Sequence, residues 1–433
     1  MVGHIVRMVC IVALVPLSVQ ADNWPQWRGP QQDGVSTAKN LPASWSLEEN
    51  IIWKAELPSW SGSTPIIWED RIFLTSPSPA QRPEEQQPGG PEIYILCLSK
   101  KDGSELWRYK LDEGNVLRRK HNTTSPSPVT DGAHVWVVTG NGVVTCLDVA
   151  GKAVWSRDLQ KDYGDFGLLF GYASSPILYD GKLILQVLHG MRTDDPSYVV
   201  ALDAGNGKEA WRKERPTDAI RESPDSYTTP TLLKRDDKTQ IVITGGDCVT
   251  GHDPDTGREI WRANGLNPDR RGNYRIVASP VVVGDMIYAP TRQRPLLALA
   301  AGGTGDVSDN VVWKWEGAAA PDVPTPTSDG KYFYMVDDRG RAMCLDAKTG
   351  AVVWGPERTA QGIVSASPHL ADGKLFLLNE DAVTTVLAAG PKFEVLGTNE
   401  LDGTYTLSSP VSSGSQLFIR TATHLYCIGY SGE

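Results

Sequence analysis

The sequence predicts an all-β fold, an eight-bladed β-propeller of four-stranded antiparallel blades whose ring is closed by an N-terminal strand in the last blade. Two observations predict it: a short signature recurs along the chain, and a Gly-to-Trp spacing repeats without variation. The signature is a small or hydroxyl residue, a proline and an apolar run, and it occurs at Pro65, Pro128, Pro176, Pro230, Pro280, Pro326, Pro368 and Pro410. Self-similarity at this period, with four strand-like pieces in each period, is typical of a propeller.

The second half of the repeat is a Leu-Asp-type corner, a glycine, and a tryptophan four residues after the glycine. This spacing holds at Gly103/Trp107, Gly151/Trp155, Gly207/Trp211, Gly257/Trp261 and Gly350/Trp354. The glycine supplies the positive φ of a tight turn between the third and fourth strands. A tryptophan that recurs once per blade predicts packing between blades rather than ligand stacking. We assign this structural role to Trp53, Trp107, Trp155, Trp211, Trp261, Trp313 and Trp354.

The two ends of the repeat region are complementary. The last repeat, from Tyr405 to Tyr430, stops after its third strand, whereas Asn50 to Glu56 precede the first signature and end like a fourth strand. We expect this segment to complete the eighth blade, which would leave no exposed sheet edge. The predicted organisation is therefore a leader over residues 22–49 and a single propeller domain over residues 50–433.

The first 21 residues have the pattern of a secretory signal peptide. His4 and Arg7 precede an apolar run, and Ala21 ends a small-residue cleavage pattern. The run is short for a membrane span, and no later stretch offers about 20 consecutive apolar residues. The sequence thus predicts an exported protein, cleaved after Ala21, periplasmic or secreted, and not membrane-spanning.

Charge and cysteine usage exclude several classes of function. The formal net charge is -10, which argues against nucleic acid or an anionic membrane surface as partner. Four cysteines, Cys97, Cys146, Cys344 and Cys427, recur at one repeat position, and this predicts small core residues rather than disulfides or metal ligands. The histidines of the repeat region, such as His134, His189, His252, His369 and His424, are scattered over different blades without paired spacing. We therefore predict no metal site.

Loop lengths indicate where a ligand would bind. Connections between blades lie on the same propeller face as the turns between second and third strands, and the long segments 112–124, 160–173, 215–229, 77–92 and 189–197 all map there. We call this the long-looped face and expect it to carry the function. Residues just before the innermost strands should surround the channel mouth: Arg119, Lys120, His121, Asn122, Tyr172, Glu222, Asp225, Tyr227, Arg275, Asp322 and Tyr405.

Two interpretations of this set stay open. Arg119, Lys120 and Arg275 could hold an anionic polar ligand, with stacking by Tyr172 or Tyr227. Alternatively, these polar side chains are hydrated or satisfy the backbone of the loops.

The fullest repeats, Ala201 to Trp211 and Cys344 to Trp354, resemble those of the PQQ-like repeat propellers. This superfamily covers quinoprotein alcohol dehydrogenases and BamB-type outer-membrane assembly factors, and the resemblance covers roughly residues 50–430. The leader, from Asn23 to Ser36, looks like the opening of exported members of planctomycete type. Quinoprotein dehydrogenases typically place an adjacent cysteine pair over the quinone, and no two cysteines are adjacent here.

These observations favour a non-catalytic, extracytoplasmic propeller that binds proteins or a polar ligand on its long-looped face, with no cofactor and no catalytic residue. The alternative is an alcohol dehydrogenase dependent on pyrroloquinoline quinone (PQQ) and calcium, in which an aspartate acts as base on the alcohol while calcium polarises the quinone. The same repeat serves enzymes and scaffolds, so the fold does not choose between them.

Overall fold

The protein is described by a computed structural model over residues 22–80, 89–236, 238–292, 294–317 and 319–430. The predicted signal peptide and its cleavage site lie outside these residues. Eight antiparallel sheets of four main strands form the eight blades, which confirms the predicted fold. Among the described residues, no helix is long and apolar enough to cross a membrane.

Blades 1 to 7 are each built from consecutive strands that run from the central axis outwards, and blade 8 takes its outer strand from the N-terminal part of the chain. Blades 1 to 4 comprise Ile66–Trp68, Arg71–Pro77, Glu92–Ser99 and Glu105–Glu113; Val129–Thr130, His134–Val138, Val143–Asp148 and Ala153–Asp158; Ile177–Tyr179, Lys182–Val187, Tyr198–Asp203 and Glu209–Glu214; and Thr231–Arg235, Lys238–Gly245, Cys248–His252 and Glu259–Asn264. Blades 5 to 7 comprise Val281–Val283, Met286–Ala289, Leu296–Ala300 and Val311–Trp315; Thr327–Ser328, Tyr332–Val336, Arg341–Asp346 and Val352–Arg358; and His369–Ala371, Lys374–Leu378, Val383–Ala388 and Val395–Glu400. Blade 8 comprises Val411–Ser413, Gln416–Arg420, His424–Ile428 and the N-terminal strand Ile51–Glu56.

Short elements supplement the blades. Gly305–Asp306 and Val35–Ser36 add parallel strands to blades 4 and 7, and Leu117–Arg118 pairs with His121–Asn122 in a small hairpin. One short α-helix, Leu159–Tyr163, and a 3₁₀ turn, Ser308–Asn310, complete the described elements.

The ring closes through the N-terminal strand, as predicted. Ile51–Glu56 pairs antiparallel with His424–Ile428, and Trp53 lies opposite Cys427. Blade 8 is therefore assembled from both ends of the propeller sequence. Its third strand, His424–Ile428, is paired on both sides and is not exposed as an edge.

At the outer part of the ring, tryptophans join neighbouring blades. Six of the seven repeat tryptophans donate their indole N–H to a carbonyl of the next blade at 2.8–3.0 Å. The indole ring of five of these six tryptophans, all except Trp354, also lies against the turn glycine of the next blade. A Cβ built on Gly207, for example, would be 2.6 Å from the Trp155 side chain. This glycine therefore meets two requirements, a φ of +71° and the close approach of a ring.

Trp261 departs from this pattern. Its indole donates to the Gln240 side chain of its own blade at 2.7 Å, and the ring lies against Gly251 in that blade. The reason is the longer connection in blade 5, residues 301–310, which provides a short parallel strand beside Trp261 instead of a glycine turn.

Around the axis, the residues that precede the signature prolines form a closed hydrogen-bonded circle, which we call the hydroxyl ring. Its members are Thr64, Ser127, Ser175, Thr229, Ser279, Thr325, Ser367 and Ser409. The backbone N–H of each member donates to the hydroxyl oxygen of the member in the next blade at 2.8–3.3 Å, and Ser409 donates back to Thr64. The following proline restricts each member to an extended conformation, which suits this geometry.

The leader lies across the short-turned face as a strap. It hydrogen-bonds to blades 1, 2, 4, 6, 7 and 8. At its centre the buried Arg28 donates to the carbonyls of Pro326 and Pro368, the latter at 2.7 Å. Burial lowers the pKa of Arg28 to about 10, so the side chain remains a cation at neutral pH. Sequence reasoning named this segment a leader and gave it no structural role.

The cysteines lie where the repeat places them. Cys97, Cys146, Cys344 and Cys427 are each fully buried within a blade and are not in disulfides. Cys248, which breaks the repeat pattern, is also buried and receives hydrogen bonds from Arg215 and Arg262 at 3.3 Å.

We expect Gly207→Ala to destabilise the protein more than Gly373→Ala. Both positions have φ close to +70°, so both variants carry a left-handed strain of about 1–2 kcal/mol. Only the Gly207 variant drives a methyl group into Trp155, since nothing lies within 4 Å of a Cβ at Gly373, and this adds about 1–3 kcal/mol. Thermal or urea unfolding measures the difference; equal losses would show that the tryptophan contact is not restrictive.

Removing the chain through Glu56 should cause aggregation, because the strand His424–Ile428 would become an exposed edge. Removing it only through Glu49 keeps the closing strand and should give a monomer with a lowered melting temperature. Size-exclusion chromatography with light scattering distinguishes them. A monomeric protein of unchanged melting temperature after the longer deletion would contradict the closure.

Candidate functional site

A cavity of about 300 Å³ occupies the propeller axis between the long-looped face and the leader. All eight members of the hydroxyl ring line its wall, and so does Trp27 of the leader. We call Trp27 the floor, because the leader lies across the short-turned face. The cavity is therefore lined by all eight blades and by a segment outside them.

Above the hydroxyl ring lies a second layer, formed by the residues two positions earlier in each blade, which we call the collar. Its members are Gly62, Ser125, Ala173, Tyr227, Val277, Val323, Ser365 and Leu407. Apart from Ser125, Ser365 and the phenol of Tyr227, these side chains offer no hydrogen-bonding group. Alternate residues of an extended segment face the same side, so the residue two positions before each hydroxyl-ring member also faces the axis. Each blade therefore contributes one residue to the hydroxyl ring and one to the collar.

Charged side chains line the top of the cavity, and we call this layer the mouth. It contains the cations Arg118, Arg119, Lys120, Arg275 and Arg292 and the carboxylates Asp322 and Asp338. The lining thus has five cationic side chains against two acidic ones, although the whole chain is acidic.

Phe170, from the connection between blades 2 and 3, organises part of the mouth. The guanidinium carbons of Arg119 and Arg275 lie 5.2 and 5.1 Å from the centre of its ring. Cation–π attraction holds two positive groups beside one aromatic surface. Both guanidinium groups are thereby positioned at the mouth.

Ion pairs hold three of the mouth cations, Arg275, Arg292 and Lys120. Arg275 lies 3.2 Å from Glu222 and 3.7 Å from Asp322, and Arg292 lies 3.7 Å from Asp322. Lys120 lies 2.8 Å from Glu380, whose carboxylate also accepts from the Ser365 hydroxyl.

The mouth carboxylates have raised pKa values. Burial raises the pKa of Asp322 to about 6, against the opposing effect of Arg275. Burial likewise raises the pKa of Asp338, although its carboxylate accepts backbone N–H groups of Asp322 and Val323. Asp322 therefore takes up a proton when the pH falls through about 6, and the mouth becomes more positive.

The residues predicted from sequence divide into two groups. Six of them line the cavity: Arg119, Lys120, His121, Tyr227, Arg275 and Asp322. The phenol oxygen of Tyr227 accepts the backbone N–H of Phe170 at 3.0 Å. This bond positions Phe170, which we call the aromatic platform. Burial lowers the pKa of His121, so that its neutral form is favoured.

The other five lie outside the lining. Asn122 and Asp225 are buried and bind loop backbone; the Asp225 carboxylate accepts the N–H groups of Leu169 and Met191 at 2.7 and 3.1 Å. Tyr172, predicted as a stacking residue, is 1% exposed within the core of blades 2 and 3. The side chains of Asn122 and Asp225 thus satisfy the backbone of loops, which was the second of the two interpretations left open by the sequence. Tyr172 packs in the apolar core.

Glu222 and Tyr405 instead support the mouth from behind. Glu222 pairs with Arg275, and the Tyr405 hydroxyl donates to the backbone carbonyl of Lys120 at 2.9 Å.

Sequence reasoning missed the floor, the aromatic platform and the function of the ring hydroxyls. Phe170 lies in a long connection and Trp27 lies in the leader, and neither belongs to the repeat. The hydroxyls were visible in the signature itself, because a Ser or Thr precedes every signature proline. Their position on the axis would have identified them as lining residues.

The alternative function requires calcium and a quinone, and the described residues do not fit calcium. Calcium takes several oxygen ligands, usually from clustered carboxylates. Over the described ranges, no group of three or more His, Cys, Asp or Glu side chains could hold a metal ion. Asp322 and Glu222 instead face cations.

The family model described as outer membrane protein assembly factor BamB matches residues 92–355 and 304–422. The chain belongs to this family of PQQ-like repeat β-propellers. The BamB of Alkalilimnicola ehrlichii is 28% identical over 208 residues, which are 45% of this chain and 51% of that protein. Quinohemoprotein alcohol dehydrogenase ADH IIB of Pseudomonas putida is 28% identical over 191 residues, which are 41% of this chain and 24% of that enzyme. The chain thus spans about half of the length of the BamB relative and about a quarter of the length of the dehydrogenase.

Solved structures share the fold of this BamB-family chain. BamB from Moraxella catarrhalis matches with a TM-score of 0.61 at 14% identity, over 88% of this chain and 98% of that one. A europium-containing methanol dehydrogenase matches with a TM-score of 0.69 at 11% identity, over 93% of this chain and 90% of that one. At these identities the likeness concerns the propeller architecture alone.

Anion binding at the cavity should strengthen as the pH falls from 7 to 5. Protonation of Asp322 removes a negative charge beside Arg275 and Arg292, and a unit charge at this range is worth about 1–2 kcal/mol, on the order of tenfold in affinity. Sulfate is a suitable probe because it does not titrate in this range, and calorimetry measures its affinity.

The variant Asp322→Asn should bind sulfate more tightly at pH 7 and lose most of the pH dependence, with a remainder from Asp338. Asp70→Asn is the control, since that side chain is 75% exposed and does not line the cavity. An unchanged pH profile in Asp322→Asn would remove Asp322 from the explanation.

Proposed function

We propose that this chain is a non-catalytic, exported propeller that binds a polar, anionic ligand in the cavity of its long-looped face. The observation that supports this most is the charge of the lining, in which five cations face two carboxylates inside an acidic protein, while Glu222 and Glu380 pair with Arg275 and Lys120 from behind. Concentrated positive charge in a concave, partly apolar site favours an anion, because the surrounding low dielectric strengthens the attraction.

The mouth cations suit recognition rather than catalysis. Arg275 is held by Glu222 and the Phe170 ring, and Lys120 is held by Glu380 and by the hydrogen bond from Tyr405 to its backbone carbonyl. Their positions are therefore set before a ligand arrives. A preorganised site loses little conformational entropy on binding. Guanidinium groups also form paired hydrogen bonds with carboxylates and phosphates.

A second candidate function is protein binding on the same face. Exposed apolar side chains lie on the loops around the mouth: Val116, Leu117, Met191, Ile220 and Ile363 are 38–49% exposed. The related BamB proteins are named as assembly factors. A protein partner with apolar and acidic side chains would complement this surface.

Export is part of the proposal. Residues 1–21 have the pattern of a signal peptide, and the related BamB proteins are named for the outer membrane. A periplasmic location is therefore proposed, with secretion as the alternative.

Calorimetry with citrate at pH 7 tests ligand binding, with glucose as an uncharged comparison. We expect saturable citrate binding and none for glucose. Arg275→Gln should weaken citrate by about tenfold, equivalent to about 1.4 kcal/mol. Arg108→Gln is the matched control, because Arg108 is exposed on an outer strand, where it contacts Glu105 and the Tyr94 ring and does not line the cavity.

The same preparation tests the enzyme alternative. After addition of PQQ and calcium, we expect no stoichiometric quinone absorbance and no dye-linked alcohol oxidation. Turnover, or equal binding of citrate by wild type and Arg275→Gln, would overturn the proposal.

A further inference from the structure

The hydroxyl ring has a chemical property that the inter-blade bonds create. Each of its eight oxygens accepts a backbone N–H from the preceding blade, and within the described part of the chain none of the eight donates a hydrogen bond. A hydroxyl has one hydrogen to donate besides the lone pairs it uses as acceptor. The ring therefore has eight O–H groups whose hydrogens are available to the cavity that they line.

These donors are buried within the protein. The ring residues are only 2–8% exposed, and a buried polar hydrogen without an acceptor costs free energy. A group with several acceptor oxygens would satisfy many of them at once. The ring is thus suited to the oxygens of a carboxylate, sulfate or phosphate.

Arg28, next to the floor residue Trp27, adds positive charge beneath the hydroxyl ring. The Arg28 guanidinium lies 6.0 Å from the centre of the Trp27 ring, on the leader side of the channel. It is 3% exposed, its Nη atoms bind carbonyls, and its Nε has no acceptor among the described residues. An anion above Trp27 would therefore be attracted from below as well as held by the ring.

The layers differ in polarity along the axis. The mouth is cationic, the collar is largely apolar, and the hydroxyl ring is a set of donors. Arg275 and Ser279 are four residues apart on one chain segment, which at about 3.3 Å per extended residue is at most roughly 13 Å. Two acceptor-binding layers are therefore separated by the length of a short organic molecule.

We propose that the cavity takes an elongated organic anion with an acceptor-rich group at each end, one seated on the hydroxyl ring above Trp27 and the other among the mouth cations. The apolar middle of the ligand passes through the collar beside Val277 and Leu407. This inference rests on the proposed function and adds to it a ligand class, a second binding layer and a role for the leader.

Linear dicarboxylates are the probes that test this arrangement. Succinate, adipate and suberate carry the same two charges at increasing separation, and hexanoate carries one charge on a similar chain. If both layers bind, affinity at pH 7 rises with length to an optimum and falls at least about tenfold for hexanoate, since a hydrogen-bonded charged group is lost. If only the mouth binds, the three diacids bind alike.

Fluorine NMR locates the deep end of the ligand. In protein labelled with 5-fluorotryptophan, the Trp27 resonance is assigned by its absence in Trp27→Phe. We expect it to shift saturably with the tightest diacid, while the resonance of Trp354, assigned in the same way, stays in place because that ring lies between blades 6 and 7.

Ser175→Ala removes one ring hydroxyl, and Ser175→Thr is the matched control that keeps it. The alanine variant should weaken the tightest diacid and leave hexanoate binding through the mouth unchanged. Because this variant also loses the bond from Ser127, it could fail to fold, and the wild-type Trp27 shift then carries the test alone.

The outcomes separate the two proposals. Diacid binding that depends on Arg275 but not on length, with no Trp27 shift, overturns the deep subsite and leaves the proposed function intact. Absence of binding by every diacid and by citrate overturns both.

Discussion

Eight hydrogen bonds run in a closed circle around the propeller axis, and the rest of the structure depends on them. Each joins a backbone N–H of one blade to a Ser or Thr hydroxyl of the next, and the last returns to the first. Closure requires a hydroxyl in every blade, an extended backbone before every proline, and the correct number of blades. One interaction thus explains why the signature recurs eight times with a hydroxyl residue at its start.

Two further contacts support the circle at different radii. Outside it, indole N–H groups reach carbonyls of the next blade and rings lie against turn glycines, so the wide end of each blade is fixed as well as the narrow end. Below it, the leader bonds to six blades and places Arg28 under the axis. The last strand of the chain, His424–Ile428, is not left as the outer edge of blade 8, because Ile51–Glu56 pairs with it.

The sequence was most informative where structure repeats. Blade number, strand order, the closing strand and the cysteine positions follow from a period that eight copies make visible, and the structure shows them. The departures are explained by single features: Trp261 lacks a partner glycine because the blade 5 connection is long, and Tyr172 packs in the core although it precedes a first strand.

The candidate cavity was predicted only in part, because its composition depends on residues that occur once. Six predicted residues line it, yet Trp27 and Phe170 belong to segments with no repeat to place them. Periodic patterns predict a scaffold, and the contacts of a leader or a long loop depend on tertiary packing. Asn122 and Asp225 are the opposite case: both were predicted to line the channel, but their side chains bind loop backbone instead.

The hydroxyl ring joins the blades with its oxygens and presents its hydrogens to the cavity. Neutron diffraction from crystals of deuterium-exchanged protein observes these hydrogens directly. We expect the deuterium atoms of Ser175, Ser279 and the other ring hydroxyls to point into the cavity, towards solvent or a bound anion, while each oxygen accepts the neighbouring amide. Deuterium atoms directed at backbone carbonyls of the blades would show that the ring hydroxyls are saturated within the protein and have no hydrogen to offer a ligand.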